Sequence, residues 1–417
     1  MNRCLAVLII LTVLASFASA AQEIRIGLNY PKTGPYAVQG LAQLRAAEMA
    51  AEELNETGGI LGRRIVLITK DSESKADVAK QNVLDLIDKD GVEMVFGGSA
   101  SSVAIAGGLA AKSRGKIYFG TLTYSNETTG SEGHKYMFRE CYSAWMGAKV
   151  LAKYLNENFH GKKYFYITAD YTWGWTTEES IRKFSNTEDK SEHKGVLTPF
   201  PGATDRDFKQ ALTEAKFSNP DVLVLVLFGN DMAQALKLAT AMGLKKKMAV
   251  VVPNLTLGMA KSAGAKVMED VVGALPWAWN IPYKYNFSGG IEFVEKFSVR
   301  YGGYPSTSAA SAYTILYQYK DAVERAQSFD SKKVIAALEG HHFTFLKDEQ
   351  WWRPFDHQNV QTVYAVKGKP QKEVLKDKYQ EDFFEIINAM PGLEAAKTIE
   401  EWTEERRKAA KPLELEW

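Results

Sequence analysis

Hydroxyl-bearing side chains follow two apolar runs in the first third of the chain, at residues 94–96 and 117–119. Each run ends in glycine, and the stretch is typical of strand, glycine turn, helix, strand and polar loop. The N–H groups at a helix start attract anions, and open parallel sheets bind ligands beyond the carboxyl ends of their strands. The ends of these two strands are therefore predicted to bind one small carboxylate. The residues concerned are Ser101, Ser102, Thr121 and Thr123.

Helix capping is the alternative interpretation of the two serines. A serine at a helix start commonly accepts a hydrogen bond from a free backbone N–H group of the first turn. Ser101 and Ser102 would then only begin a helix that runs to about Ser113, and they would contact no ligand.

Length and charge narrow the class of protein. A chain of 417 residues is too long for one hydrophobic core, so two or three domains are expected. Its 46% hydrophobic and 24% charged residues are ordinary for a soluble globular protein. The net charge of +1, without a basic block, offers no surface for nucleic acid.

Residues 1–20 have the pattern of an export signal. Arg3 gives a basic start, an apolar stretch follows, and residues 18–20 (ASA) fit the small-residue cleavage rule. The mature chain is expected to begin near Ala21 and to be exported without a membrane anchor. Cys141 is then its only cysteine, and a lone cysteine of this kind is expected to be buried rather than reactive.

Strand and helix patterns alternate along the chain, which indicates parallel sheets with helices on both faces. Two similar halves result, at residues 22–142 and 143–270. The continuous apolar run at 222–227 predicts a strand that is buried on both faces. The segment after residue 270 lacks the pattern of a third domain, and two lobes that exchange chain through several crossovers would explain it. A crevice between such lobes favours a ligand pocket.

The fold class that this pattern predicts is α/β, with two doubly wound parallel-sheet lobes joined by multiple crossover hinges. The predicted parts are a signal at 1–20, a first lobe at 21–142 and 271–345, a second lobe at 143–270 and 346–378, and a helical tail at 379–417. The tail is expected to carry an amphipathic helix. That helix would pack on the second lobe, fray in solvent, or dock a partner.

Six stretches occur in order between about residues 23 and 370: GLNYPKTGPYAVQG, NETGGILGR, FGGSASS, FGTLT, DYTWGW and VVPN. Their order and spacing resemble the periplasmic binding proteins of branched-chain amino-acid uptake systems, which have the type I periplasmic binding fold. The resemblance implies a monomeric periplasmic protein that closes on an amino acid, amide or aromatic acid and delivers it to the membrane permease of an ABC transporter. It implies no enzyme activity, cofactor or metal. The alternative is a subunit of the same fold that reports its ligand to a membrane sensor.

The resemblance also assigns roles by position. Ser101 would bind the ligand carboxylate through its hydroxyl and amide, Thr121 would offer backbone groups, and Thr123 would offer a hydroxyl and an amide. Trp173 and Phe228 would cover the ligand from the second lobe. The further residues expected in the cleft are Gln39, Tyr171, Asn254 and Trp277, with Trp279 as the alternative to Trp277.

Asn254 departs from the family pattern, which places an acid here to pair with the ammonium of an amino acid. An uncharged amide cannot pair with a buried ammonium as a carboxylate does. The ligand therefore lacks an α-amine, or Asp231 or another acid substitutes. The aromatic residues at the strand tips either form a flat apolar pocket or pack the lobes together. A small carboxylate with an aromatic or branched body is the expected ligand.

Signatures of other chemistry are missing from the sequence. The stretch at residues 97–99 (GGS) lacks the third glycine of a dinucleotide-binding motif. His341 and His342 are adjacent, so their side chains point in different directions and make a poor chelate. Ser101 has no histidine partner in the sequence that would mark it as a nucleophile.

Overall fold

The computed structural model describes residues 22–417, so the predicted export signal lies outside the described residues. The strands are β1 (Glu23–Tyr30), β2 (Arg64–Asp71), β3 (Met94–Gly97), β4 (Ile117–Gly120), β5 (Met137–Arg139), β6 (Tyr164–Ala169), β7 (Gly195–Thr198), β8 (Val222–Val226), β9 (Ala249–Val252), β10 (Val272–Leu275), β11 (His342–Phe343), β12 (Gln350–Trp352), β13 (Asn359–Val360), β14 (Val363–Gly368) and β15 (Phe384–Met390). The helices are α1 (Ala37–Glu56), α2 (Ala76–Asp88), α3 (Ser101–Lys112), α4 (Ala144–Phe159), α5 (Thr172–Ser185), α6 (Asp205–Ser218), α7 (Gly229–Ala241), α8 (Leu257–Ala263), α9 (Ala265–Met268), α10 (Ile281–Tyr285), α11 (Ser288–Tyr301), α12 (Thr307–Ala326), α13 (Ser331–Leu338), α14 (Gln371–Val374), α15 (Gly392–Ala395) and α16 (Ile399–Lys408).

The first lobe is built on a parallel sheet in the order β2-β1-β3-β4-β5. Its inner strands are apolar on both faces because helices cover both sides. Ile26 and Phe96 are completely buried in this core. The second lobe has a sheet in the order β15-β14-β10-β9-β8-β6-β7, in which β14 and β15 are antiparallel to their neighbours. All five residues of β8 are buried, as the apolar run predicts. The predicted fold class is confirmed.

Three crossovers join the lobes. The first follows β5, the second follows β10, and the third lies between β13 and β14. Strands β11, β12 and β13 form a small antiparallel sheet beside the first lobe. There the Trp352 ring meets Phe119 and Phe138 at centroid distances of 5.5 and 5.6 Å. The first lobe thus comprises residues 22–139 and 277–360, and the second comprises 141–275 and 361–396.

Two predicted lobe boundaries therefore shift. Strand β10, which was expected in the first lobe from residue 271, pairs with β9 and β14 of the second sheet. Residues 346–360, which were expected in the second lobe, lie with the first. A strand of two to four residues shows its apolar character in the sequence, but it does not show which sheet it joins.

The tail also differs from the expectation of a purely helical segment. Its strand β15 completes the second sheet beside β14, and neither β15 nor β5 has a counterpart in the predicted pattern. The amphipathic helix exists as α16 with a capping box at Thr398. It packs on the first lobe rather than on the second or in solvent, because Trp402 donates a hydrogen bond to the Thr129 carbonyl at 2.9 Å. Over residues 22–417, no helix combines the length and apolar character that a membrane crossing requires.

Candidate ligand-binding cleft

Ser101 lies at the start of α3 and faces the loop after β4. Ala100, with extended backbone, occupies the position before the helix, and no side chain caps this end. The Ser101 hydroxyl instead accepts a hydrogen bond from the Ser125 amide at 3.0 Å, and the side chain is buried. The capping interpretation is therefore wrong for Ser101, and its own hydroxyl proton stays available to an acceptor. Ser102 is half-buried at the next position.

Thr121 and Thr123 are both buried, but their polar groups differ in availability. The Thr121 amide donates to the Gly97 carbonyl at 3.1 Å, and its hydroxyl lies 2.6 Å from the Gly98 carbonyl. Thr121 thus ties the loop to the glycine turn. The Thr123 hydroxyl lies 2.8 Å from that of Thr128, and its amide donates to the Cys141 sulfur at 3.3 Å. Sulfur is a weak acceptor, so the Thr123 amide could readily exchange it for a carboxylate oxygen.

Arg139 is a buried cation beneath this loop that sequence reasoning missed. Its guanidinium donates to the carbonyls of Thr123 and Ser125 and, at 2.7 Å, to the Thr129 hydroxyl. Among the described residues no carboxylate lies within 4.0 Å of it, although the side chain is only 3% exposed. Burial lowers the pKa of Arg139, and the carboxylates that act on it, among them Asp356 and Glu405, do so without a direct ion pair. A buried positive charge of this kind makes the Ser101–Thr123 edge favourable for an anion. An arginine that ends a three-residue strand gives no sequence signal of this role.

Aromatic rings from both lobes form one largely buried cluster between the lobes. Tyr36 of the first lobe stacks on Phe200 at 5.6 Å and meets Phe228 edge-on at 5.1 Å. Its hydroxyl lies 3.0 Å from that of Tyr171. Trp173 completes the second-lobe side, 5.9 Å from both Tyr171 and Phe228. The predicted residues Tyr171, Trp173 and Phe228 are thus brought together, and Tyr36 and Phe200 join them without having been predicted.

Backbone contacts hold the two lobes together at the same place. The Asn230 amide donates to the Pro35 carbonyl at 3.3 Å. Gly229 has φ of +62°, and a side chain there would come within 2.5 Å of the Tyr36 ring. Glycine therefore suits both the backbone angle and the close approach of the lobes. Gln39 adds a hydrogen bond across the cleft, from its side-chain nitrogen to the Thr256 hydroxyl at 3.4 Å. The lobes are closed on each other.

Buried polar groups without partners lie beside this cluster. One side of the Asn254 amide is 2.9 Å from the Tyr142 hydroxyl, and the other side has no hydrogen-bond partner. The Gln39 side-chain oxygen is also buried and unpartnered, and the buried Tyr124 hydroxyl faces the Asn254 amide. The Tyr124 ring lies 6.0 Å from Phe228. Its chain neighbours Thr123 and Ser125 lie in the loop after β4, which together with Ser101 forms the hydroxyl edge of the cleft. Unpartnered buried polar groups are rare in native proteins, and a bound polar molecule would satisfy these.

Trp277 belongs to the first-lobe core rather than to the interlobe cluster. Its ring packs against Phe293 at 5.7 Å, and its carbonyl accepts a hydrogen bond from the Thr307 hydroxyl at 2.6 Å. Trp279 stacks on Tyr304 at 3.7 Å. A pocket role for Trp277 stays a prediction.

Asp231 is an acid in the first turn of α7, directly after the residues that touch the first lobe. It is only 9% exposed and makes no hydrogen bond or ion pair with the described residues. Burial raises its pKa to about 6. This carboxylate is the candidate partner for a ligand ammonium if the ligand carries one.

Replacing Asp231 with asparagine should make the protein more stable at pH 7 but not at pH 3. The unfolded chain loses the Asp231 proton near pH 3.8, whereas the folded protein keeps it until about pH 6. Wild-type stability therefore falls as the pH rises through this window, by about 2–3 kcal/mol. Urea unfolding from pH 3 to pH 8 measures the difference. Asp205→Asn, at an exposed first-turn position of α6, is the matched control for an acid that is not buried. Parallel curves for wild type and Asp231→Asn would contradict the assignment.

Two α/β lobes, three crossovers and a buried cluster between the lobes define a two-lobed binding protein. The family model described as periplasmic binding protein matches residues 23–373. The chain belongs to this family, whose members are periplasmic and bind solutes rather than catalyse reactions. No three His, Cys, Asp or Glu side chains of residues 22–417 are grouped as a metal site.

Individual proteins resemble the chain over most of its length. Leu/Ile/Val-binding protein homolog 7 of Brucella melitensis is 26% identical over 361 residues, which cover 81% of this chain and 86% of that protein. The crystal structure of a periplasmic binding protein from Burkholderia mallei has a TM-score of 0.82 at 24% identity and covers 91% of this chain and 98% of that one. A solute-binding protein of an R. palustris ABC transporter, solved with benzoate, has a TM-score of 0.75 at 19% identity, covering 89% and 97%. The two structures establish the shared fold.

Proposed function

We propose that the protein captures a small carboxylic acid with a flat or apolar body between its lobes in the periplasm and, as a monomer, delivers it to the membrane permease of an ABC transporter. The observation that carries this proposal is the single buried junction where an aromatic cluster from both lobes meets a hydroxyl edge above Arg139. The edge suits an anionic group, and the rings suit an apolar body.

The carboxylate end of the ligand is assigned to the first lobe. Ser101 retains a free hydroxyl proton, and the Thr123 amide has only a sulfur acceptor at 3.3 Å. Two such donors can bind the two oxygens of one carboxylate, and charge-assisted hydrogen bonds of this kind are the stronger ones. The Arg139 charge favours the anion without contacting it, because its own donors hold the loop carbonyls.

The ligand body is assigned to the second lobe. Trp173, Phe228 and Tyr171 would cover it, with Asn254 offering one unpartnered side of its amide. An uncharged amide favours a ligand without an α-amine, and one structural relative was solved with benzoate. The Brucella relative carries the name of a Leu/Ile/Val-binding protein, so amino acids are the competing class, and Asp231 would then receive the ammonium.

Ligand binding would stabilise the closed arrangement through contacts that exist only when the lobes meet. Tyr36, Gln39 and Pro35 of the first lobe touch the second lobe directly. A ligand that bridges both sides gains affinity only in this state, so it shifts the population toward closure. The closed form is the one that we assign to docking on the permease.

The ligand class is tested by calorimetry. The protein is first unfolded and refolded to remove bound solute, and binding of each candidate acid is then measured. Benzoate should bind, and leucine should bind more weakly or not at all, because Asn254 cannot pair with an ammonium. Tight leucine binding without benzoate binding would contradict the proposal that the ligand is an acid without an α-amine. Asp231 would then be assigned as the partner of the leucine ammonium.

Replacing Ser101 with alanine should weaken binding of the acid that calorimetry identifies. Removal of one donor to a buried carboxylate costs about 1–3 kcal/mol, or roughly 5- to 150-fold in affinity. Ser113→Ala is the matched control, since this serine ends the same helix, and its hydroxyl donates to the Ala110 carbonyl at 2.7 Å and accepts from the Arg114 side chain at 3.2 Å. Equal affinities of the Ser101 variant and the wild type would refute the role of Ser101.

A further inference from the structure

The final part of the tail, residues 391–417, begins on the second lobe. It follows β15, which pairs with β14 in the second sheet, and its helix α15 packs against α4. The Lys149 ammonium of α4 donates to the Glu394 carbonyl at 3.0 Å. Gly392 lies so close to the third crossover that a side chain there would come within 2.5 Å of the Gln361 amide. The family match ends at residue 373, before this segment begins.

The tail ends on the first lobe, along the loop of residues 126–136. The Trp402 indole donates to the Thr129 carbonyl at 2.9 Å. The Arg406 guanidinium, with 1% of the side chain exposed, donates to the carbonyls of Gly130 and Gly133 at 2.6 and 3.1 Å. Near the end of the chain, the Glu416 carbonyl accepts from the Lys135 amide at 2.9 Å. Buried guanidinium and indole donors fix this end firmly.

Between these anchors the tail crosses the hinge. A cavity of about 10 Å³ is lined together by Lys397 and Trp402 of the tail, Arg139 and Ser143 on either side of the first crossover, and Gln358, which precedes the third. The tail therefore packs directly on two of the three connections that must bend when the lobes move apart.

Charged groups of the tail join the lobes at the same point. Lys397 and Glu405 form a half-buried ion pair, and the Lys397 ammonium lies 4.9 Å from the centre of the Trp145 ring on α4. The Glu405 carboxylate also accepts from the Ser131 amide of the first lobe at 3.3 Å. The Lys397 carbonyl accepts from Arg353 at 2.7 Å.

We propose that the tail is a strap that connects the lobes a fourth time and limits how far the hinge opens. Only three residues, 396–398, separate α15 on the second lobe from α16 on the first. Fully extended, they span about 10 Å. Lobe opening must therefore either stay within that reach or detach α15 from the second lobe or α16 from the first, which favours the closed arrangement.

Substitution of Arg406 in the full-length chain tests the strap without any ligand. Arg406→Ala removes the donors that hold α16 to the first lobe, whereas Arg407→Ala, at the exposed neighbouring position, is the matched control. The solute-free proteins are compared by small-angle X-ray scattering and by backbone hydrogen exchange. We expect Arg406→Ala to have a larger radius of gyration and several-fold faster exchange at residues 35–39 and 228–231, where the lobes touch. Arg407→Ala should match the wild type.

Faster exchange confined to residues 126–136 and 396–417, with an unchanged radius of gyration, would overturn the proposal because the tail would then stabilise only its own surroundings. Should Arg406→Ala fail to fold, Trp402→Phe decides by the same two measurements. That variant keeps an aromatic ring against Phe355, whose ring lies 5.4 Å from that of Trp402 in the wild type, and loses the donor to Thr129. The test needs no knowledge of the solute, so its outcome is independent of the proposed function.

Discussion

Replacing Lys347 with alanine should lower the free energy of unfolding by about 2–6 kcal/mol, because two buried carbonyl groups each lose a charged donor at a cost of about 1–3 kcal/mol. The Lys347 ammonium is 1% exposed and donates to the carbonyls of Pro276 and Thr362 at 2.7 Å each. These carbonyls belong to the second and third crossovers, and the buried carboxylate of Glu140 belongs to the first. Burial lowers the pKa of Lys347 and raises that of Glu140, while their mutual attraction opposes both shifts. The substitution would leave Glu140 and both carbonyls without this cation.

Urea unfolding at pH 7 measures this loss. Lys376→Ala, at an exposed position, is the matched control and should change the stability by less than about 0.5 kcal/mol. Equal stabilities of the two variants would show that the three crossovers are not held together at Lys347.

Replacing Phe228 with alanine should reduce both stability and affinity for the solute. The stability loss should be about 3–5 kcal/mol, as for other buried phenylalanines. The affinity should fall about tenfold or more, because Phe228 contacts Tyr36 and Tyr124 of the opposite lobe and each aromatic pair contributes beyond its buried area. Thermal unfolding and calorimetry with the acid identified above measure the two effects.

Phe208→Ala separates the two effects. Phe208 is completely buried in α6 of the same lobe, so its removal should cost similar stability and leave the affinity unchanged. Equal affinity losses in both variants would indicate a general loosening of the second lobe rather than a role of Phe228 in closure.

The sequence correctly predicts those structural features that a short stretch of neighbouring residues determines. The apolar run around Val224 is a fully buried strand, and the alternation of strands and helices is realised as two α/β lobes. Cys141 is buried, as expected of a lone cysteine in this chain, and burial raises the pKa of its thiol. In each case a few neighbouring residues are enough to determine the environment.

The interlobe contacts could not be predicted in the same way. Tyr36 and Phe200 are 164 residues apart and meet only because the lobes close on each other. Arg139 becomes a buried cation only because loop carbonyls and the Gln358 side chain surround it. The Ser101 hydroxyl accepts a hydrogen bond from the Ser125 amide instead of capping its helix. This contact depends on the position of the loop after β4. The ligand roles of the cleft residues remain predictions.

The crystal structure of the protein purified with its natural solute tests the central claim most directly. We expect density for a small acid between the lobes, with its carboxylate oxygens on the Ser101 hydroxyl and the Thr123 amide and its body against Trp173 and Phe228. Density for the solute at any other place, with Ser101 still bonded only to Ser125, would contradict it.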